Sequence, residues 1–172
     1  MRSAYSINRA STLPLDLHLT GLTQGAGQLD TLGNTHWKNW RLAKHAPPAR
    51  EVWPAASIVW LSPDAPDPLL SLDAAEVYVI GGIVDRNVKR GATLTRAREE
   101  GSQARRLPLD EYAAEHRSHT ILSLTATVQI LAAVHAGMDW GEAIRRSQES
   151  GTWFTLFNAR QHARQQARRA RR

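Results

Sequence analysis

The pattern of apolar and polar residues predicts two strongly apolar β-strands in the first half of the chain. Ser57–Leu61 and Val77–Ile80 are short, mostly β-branched or aromatic runs. Unbroken runs of this length are typical of strands buried on both faces, as in a parallel sheet. A looser alternation of leucines with polar residues over 13–22 predicts a half-buried strand, and Ala104–Leu109 predicts a short strand that ends at a Pro turn.

Helical periodicity dominates the second half. A predicted helix carries on one face Leu124, Val128, Leu131 and Val134. Gly137 is expected to end that helix. Asp139 is the N-cap candidate of the next one, with Glu142 three residues later as in a capping box.

Shorter helical segments lie between the strands. Thr93 or Thr95 is predicted to cap a helix that runs through Glu100 and stops at Gly101. A brief helix is expected at 110–112 and a brief strand at 120–123. Because strands and helices alternate along the chain, we expect an α/β domain with a mostly parallel sheet.

The strand at Val77–Ile80 leads directly into a glycine pair and an acid. Gly81 and Gly82 lack a Cβ, so the backbone can turn sharply there or let a ligand approach closely. Asp85 follows the resumed apolar residues and lies near the carboxyl end of a buried strand, where open α/β sheets bind ligands. The pattern alone fits an ordinary strand, turn and helix somewhat better than a ligand site.

The charge of the chain indicates which class of partner it binds. The 172 residues carry a formal net charge of +6, with an isoelectric point near 10.5. Such an excess favours a polyanion, nucleic acid first and an acidic membrane second. Much of it resides in a C-terminal tail that contains no acid from residue 159 onward and whose arginines include Arg160, Arg164 and Arg168. No apolar run approaches the roughly 20 residues of a membrane span.

Several alternatives stay open. The chain has no cysteine, which excludes disulfides and thiolate metal sites. Trp37 and Trp40 could stack on bases, although a pair at this spacing more often forms a core edge. His116 and His119 have the spacing of metal ligands but no evident third ligand, and we expect no metal. The acid-free segment before residue 15 has features of an organelle transit peptide but no clear amphipathic repeat.

Three ordered segments together resemble a known family. They are 79–87 (Val-Ile-Gly-Gly-Ile-Val-Asp-Arg-Asn), 106–112 (Arg-Leu-Pro-Leu-Asp-Glu-Tyr) and 139–143 (Asp-Trp-Gly-Glu-Ala). They are similar to segments of the tRNA (guanine-N1) methyltransferases that modify position 9, within the SPOUT superfamily. Weaker similarity extends to 2–9, to the tryptophan pair and to 61–64, so that residues 1–150 form the predicted methyltransferase domain and 151–172 an Arg-rich tail, helical or disordered.

The resemblance implies an α/β fold with a C-terminal trefoil knot, S-adenosylmethionine as cofactor and tRNA as partner. It implies methylation of N1 of a purine, most plausibly guanine, with Asp85 as the catalytic residue. It places at the cofactor Leu61, Gly81, Gly82, Thr93, Leu107, Leu122 and Ser123. Candidates for contacts with RNA phosphates are Arg9, Arg86, Lys89, Arg160, Arg164 and Arg168.

Departures from the family pattern favour an alternative function. Family members usually have a strand and helix before the segment that matches Arg2 to Arg9, and we expect that opening strand to be lacking here. Ala126 replaces a polar residue of the family's knot segment, and the Arg-rich tail is not a family hallmark. The alternative is a non-catalytic tRNA-binding protein or subunit that retains the fold. A monomer without membrane association is expected, in the cytoplasm or nucleus, with an organelle not excluded.

Overall fold

The computed structural model describes residues 2–23, 37–81, 91–112 and 122–149. The chain forms two compact units, one of Leu15–Pro108 and one of Ser3–Pro14 together with the chain from Leu109 onward. In chain order the elements are α1 Arg2–Ala10, β1 His18–Leu19, β2 Ala43–Lys44, α2 Ala49–Val52, β3 Ile58–Leu61, β4 Val77–Ile80, α3 Ala92–Glu99, β5 Gln103–Arg105, α4 Leu109–Tyr112, α5 Leu124–His135 and α6 Trp140–Glu149.

A three-stranded parallel sheet is the centre of the unit Leu15–Pro108. Strand β3 lies in the middle, with β4 on one side and β5 on the other. Leu61 is level with Ile80 of β4 and with Arg105 of β5. These strands confirm the predictions for 57–61 and 77–80, and the α/β fold with parallel pairing is confirmed for the described residues.

Burial explains why the central strand carries an unbroken apolar run. Ile58 and Val59 are fully buried, so residues on both faces of β3 are covered. Helix α3 packs on β3 and β5, and its Ala97 is also fully buried. A small side chain at that position lets the helix lie close to the sheet.

A second, two-stranded parallel sheet is smaller than the sequence predicts. The alternation over 13–22 suggests a longer strand, but only His18–Leu19 pairs, with Ala43–Lys44. Beyond these pairs the two segments stay joined by single backbone hydrogen bonds, such as the Gly21 N–H to the Pro47 carbonyl at 2.7 Å. Nearby, Trp37 is buried in a 3₁₀ helix, Trp37–Asn39, which supports the core-edge interpretation of this tryptophan.

The start of α3 corrects the predicted cap. Neither Thr93 nor Thr95 caps this helix, since the N-cap is Gly91 at φ +72°, a conformation that costs glycine little. Its end agrees with the prediction, because Gly101 follows in the left-handed region at φ +65°. Strand β5 begins at Gln103 and ends at Arg105, so the strand predicted over 104–109 is displaced toward the N-terminus.

The other unit is helical within the described residues. Helix α6 packs against α5 and α4. Gly137, at φ +92°, ends α5 as predicted, and Asp139 caps α6 by accepting the Glu142 N–H through Oδ1 at 3.2 Å. The core of this unit includes Ile130 and Ile144.

Two details of this unit differ from the expectations. Leu122 and Ser123 belong to no strand; Ser123 is instead the N-cap of α5, and its Oγ accepts the Ala126 N–H at 3.1 Å. Helix α1 has no counterpart in the sequence prediction. Its buried residues Ala4 and Asn8 are four positions apart and therefore lie on one face of the helix. A search for large apolar residues misses this face, because one buried residue is small and the other is polar.

Along the described segments, the structure contains no helix that is both long and apolar enough to cross a membrane.

Candidate functional site

The carboxyl ends of the three parallel strands meet at one edge of the sheet. We call this the carboxyl edge, formed by Leu61 at the end of β3, Gly81 just after β4 and Leu107 two residues beyond β5. The three strands end level with one another, because Leu61 pairs in register with both Ile80 and Arg105. Three residues predicted at the cofactor therefore lie at the edge where open α/β sheets bind ligands.

A fourth predicted residue, Thr93, lies over the same edge. Its Oγ1 is 3.2 Å from the position that a Cβ on Gly81 would occupy. A Cβ at that distance is tighter than most real contacts, so the Thr93 side chain would have to move by a few tenths of an ångström to admit one. Gly81 thus brings bare main chain to the carboxyl edge.

The loop that follows β3 forms a fixed border of the carboxyl edge. The Ser62 N–H donates to the Arg105 carbonyl at 3.0 Å, and the Arg106 N–H donates to the Asp67 carbonyl at 2.9 Å. The Leu69 N–H donates to the Arg106 carbonyl at 2.8 Å. Leu69 is fully buried and Ser62 is 1% exposed, so this loop is anchored by packing as well as by backbone hydrogen bonds.

A polar network on the sheet spans β4 and β5. The Tyr78 hydroxyl donates to Glu76 Oε2 at 2.7 Å and accepts the Asp73 N–H at 2.7 Å. Arg105 makes a two-pronged ion pair with Glu76, with N···O distances of 3.0 and 3.1 Å. Glu76 directly precedes β4 and Arg105 ends β5, and these strands lie on opposite sides of β3, so the ion pair ties the two outer strands together.

The electrostatics of this network favour a neutral phenol. Burial, the largest cause, acts together with the hydrogen bond and the charge of the Glu76 carboxylate to raise the pKa of Tyr78 to about 12. The Asp73 N–H and the Arg105 guanidinium act in the opposite direction. Tyr78 is therefore protonated at physiological pH and serves as a hydrogen-bond donor.

The remaining predicted site residues fall into two groups. Leu122 and Ser123 lie in the helical unit, and Arg9 is an exposed cation in the last turn of α1. Outside the described residues lie Gly82, Asp85, Arg86, Lys89, Arg160, Arg164 and Arg168. The histidines at 116 and 119 also lie outside them.

Sequence reasoning gave no role to the Glu76–Tyr78–Arg105 network or to Asp64. Most of these contacts join residues 5 to 29 positions apart, so no local pattern indicates them; the exception is Glu76–Tyr78, two positions apart. The polar residues in and next to β4 and β5 were the sequence signal that could have pointed to the network. Within the described ranges, no group of three or more acidic or histidine side chains could hold a metal ion.

The chain is similar to several known proteins. The family model of the tRNA (guanine(9)-N(1))-methyltransferase TRM10/TRM10A matches residues 1–147. The tRNA methyltransferase 10 homolog B of Rattus norvegicus is 27% identical, with 92% of this chain and 52% of that protein covered. The tRNA (guanine(9)-N(1))-methyltransferase Trmt10A of Drosophila melanogaster is 32% identical, with 81% and 44% covered.

A solved structure agrees with these relatives. The crystal structure of full-length spTrm10 in complex with SAH has a TM-score of 0.71 and 26% sequence identity, and the match covers 84% of this chain and 79% of that one. The chain spans about half the length of the curated relatives it matches. With 147 of its 172 residues matched by the family model, the chain belongs to the tRNA (guanine(9)-N(1))-methyltransferase TRM10/TRM10A family.

Proposed function

We propose that this protein is an S-adenosylmethionine-dependent methyltransferase that acts on N1 of a purine, guanine by preference, at position 9 of tRNA. The observation that carries the proposal is the convergence of Leu61, Gly81, Thr93 and Leu107 at the carboxyl edge, in a chain of this family. The relative spTrm10 binds SAH, which is what S-adenosylmethionine becomes once its methyl group has been transferred.

The residues at the edge fit such a cofactor. Gly81 exposes main chain where a side chain would block approach, and Thr93 supplies a hydroxyl beside it. Main-chain N–H and C=O groups can hold an adenine and a ribose whatever the neighbouring side chains are, which is consistent with Leu61 and Leu107 at the ends of β3 and β5. The cofactor would supply an activated methyl group.

The acceptor chemistry requires loss of a proton. Guanine N1 carries a hydrogen that must leave as the N–CH₃ bond forms, and a carboxylate near N1 can accept it or orient the base. We propose Asp85 for this role from the family resemblance. The trefoil knot is likewise part of the proposal and also comes from the family resemblance.

Methyl transfer to defined tRNAs tests this function. Purified full-length protein is incubated with isotope-labelled S-adenosylmethionine and tRNA transcripts that carry guanine, adenine or a pyrimidine at position 9. The expected result is labelled N1-methylpurine at that position and none on the pyrimidine transcript. Asp85→Asn should lower the rate at least about a hundredfold if the carboxylate takes part in proton transfer, whereas Asp67→Asn, in an exposed loop, should keep it.

A protein that binds tRNA but transfers no methyl group to any transcript would contradict the proposal. That outcome would support the alternative, a non-catalytic tRNA-binding protein that retains the fold.

A further inference from the structure

Asp64 reaches from one end of the sheet to the start of a distant helix. Its Oδ2 accepts the Gly91 N–H at 2.8 Å, across 27 residues of chain. Gly91 is the N-cap of α3, and its carbonyl accepts the Thr95 N–H at 2.8 Å, so it is also part of the first hydrogen-bonded turn. Asp64 therefore holds the residue from which α3 begins.

The carboxylate is presented by a turn that is itself fixed. The Ala65 N–H donates to the Ser62 carbonyl at 3.2 Å, and the Asp64 N–H donates to Ser62 Oγ at 3.3 Å. Ser62 is buried and bonded to the end of β5, and Ala65 is 3% exposed. Because its flanking residues are anchored to the sheet, Asp64 is a fixed point for whatever it binds.

Helix α3 has no acid of its own to complement its N-terminus. Its first turn contains no Asp or Glu, and no side chain caps it. A carboxylate is stabilising at the positive end of a helix dipole, and a hydrogen bond from a backbone N–H to an ionised acceptor is stronger than a neutral one. Asp64, in the loop that follows β3, supplies the acid that is missing from the local sequence.

The first turn of α3 is also the part of the helix that lies over Gly81. Thr93 follows Gly91 by two residues, and its Oγ1 is 3.2 Å from the space that a Cβ on Gly81 would fill. We propose that Asp64 is a positioning residue for cofactor binding, which holds the first turn of α3, and with it Thr93, against the carboxyl edge. This inference rests on the proposed function, because the ligand is the cofactor of that reaction.

The test compares Asp64→Ala with Asp64→Asn, which keeps an oxygen acceptor for the Gly91 N–H. In calorimetry with SAH on the full-length protein, Asp64→Ala should raise the dissociation constant about tenfold, the loss expected from one hydrogen bond to a charged group. Asp64→Asn should recover affinity to within about threefold of the native protein, since a neutral acceptor keeps part of that interaction. Asp67→Ala is the matched control, because Asp67 belongs to the same loop and only its carbonyl bonds to Arg106.

Two further measurements separate positioning from folding. Amide hydrogen exchange of Gly91 should accelerate in Asp64→Ala and not in Asp67→Ala, and tRNA affinity should stay within about twofold of the native value in both, as for surface substitutions. Native SAH affinity in Asp64→Ala, failure of Asp64→Asn to recover it, or a parallel loss of SAH and tRNA binding would overturn the inference. A native protein that binds tRNA but not SAH would instead overturn the proposed function, and the inference with it.

Discussion

At the scale of single residues, the carboxyl edge depends on Gly81 having no Cβ. Gly81 does not have a positive φ, so its backbone conformation does not require glycine. What favours glycine there is the short distance, 3.2 Å, between Thr93 Oγ1 and the position that a Cβ on Gly81 would occupy. The sequence shows that a glycine pair follows β4, but spacing cannot distinguish a glycine needed for a turn from one needed for a close approach. The distinction depends on Thr93, which is distant in sequence and close in space.

Gly81→Ala tests that close approach. The added methyl group must displace the Thr93 side chain or the first turn of α3, and we expect a loss of about 1 kcal/mol in the free energy of unfolding, at the low end for overpacking. Thr93→Ala in the same chain removes Oγ1 and should recover part of the loss. Urea unfolding of both single variants and the double variant gives the coupling energy. Independent, additive effects would show that the two positions do not press on each other.

The raised pKa of Tyr78 predicts how the stability of the protein changes at alkaline pH. This pKa is raised from 10 in the unfolded chain to about 12 in the folded protein, so the folded state holds the phenolic proton more tightly. The resulting stability is fully present below pH 10 and is lost as pH rises from about 10 to 12. Tyr78→Phe should flatten the pH dependence of unfolding in that range.

Tyrosinate absorbance checks the assignment. The component that titrates near pH 12 should disappear in Tyr78→Phe and persist in Tyr112→Phe, because the second variant keeps Tyr78. An unchanged titration in Tyr78→Phe would contradict the raised pKa.

At the scale of elements, the sequence predicts those helices and strands whose positions are set by interactions between residues close together in the chain. The positions of β3, β4 and α5 are recovered nearly to the residue. Their burial is recovered less well, because all four residues of β4 are half-buried, as are Leu124 and Val134 of the predicted face of α5. The start of α3 is not recovered, since its acid comes from Asp64, 27 residues earlier. Helix α1 is not recovered either, because it buries a small residue and an amide rather than large apolar side chains.

Ser123 has a capping role that the family resemblance does not indicate. Its Oγ accepts the Ala126 N–H and its carbonyl accepts the Thr127 N–H at 3.0 Å, so Ser123→Ala should cost about 1 kcal/mol in the free energy of unfolding. Ser123→Asp keeps a capping oxygen and should restore most of it. Chemical unfolding of the two variants makes the comparison, and equal losses would argue against capping.

SAH affinity of the same two variants addresses the other predicted role of Ser123. A weaker affinity in Ser123→Asp, despite recovered stability, would indicate a ligand contact in addition to the cap.

At the scale of the whole molecule, the positive charge is the property most relevant to tRNA. A net charge of +6 predicts binding that weakens steeply with salt. Not every arginine contributes equally. Arg145 is engaged by Glu142 and Glu149, and the ion pairs with Arg145 and Arg146 lower the pKa of Glu142, which keeps that acid charged. Arg9 is also exposed, at the end of α1, but among the described residues no ion pair engages it.

We therefore expect Arg9 and Arg145 to differ. Arg9→Ala should reduce the slope of log affinity against log salt by about one for tRNA, as for one phosphate contact, whereas Arg145→Ala should leave it within error. Fluorescence anisotropy at several salt concentrations provides both slopes. Equal slopes for the native protein and Arg9→Ala would remove Arg9 from the RNA interface.

Amide chemical-shift mapping with SAH shows whether the carboxyl edge binds the methyl donor. At 19.1 kDa the chain is suited to this measurement. Saturating SAH should shift the amides of Leu61, Gly81, Thr93 and Leu107, while His18 and Lys44 of the small sheet stay unchanged. A folded protein whose shifts do not change, or change only away from these four residues, would contradict binding at the carboxyl edge.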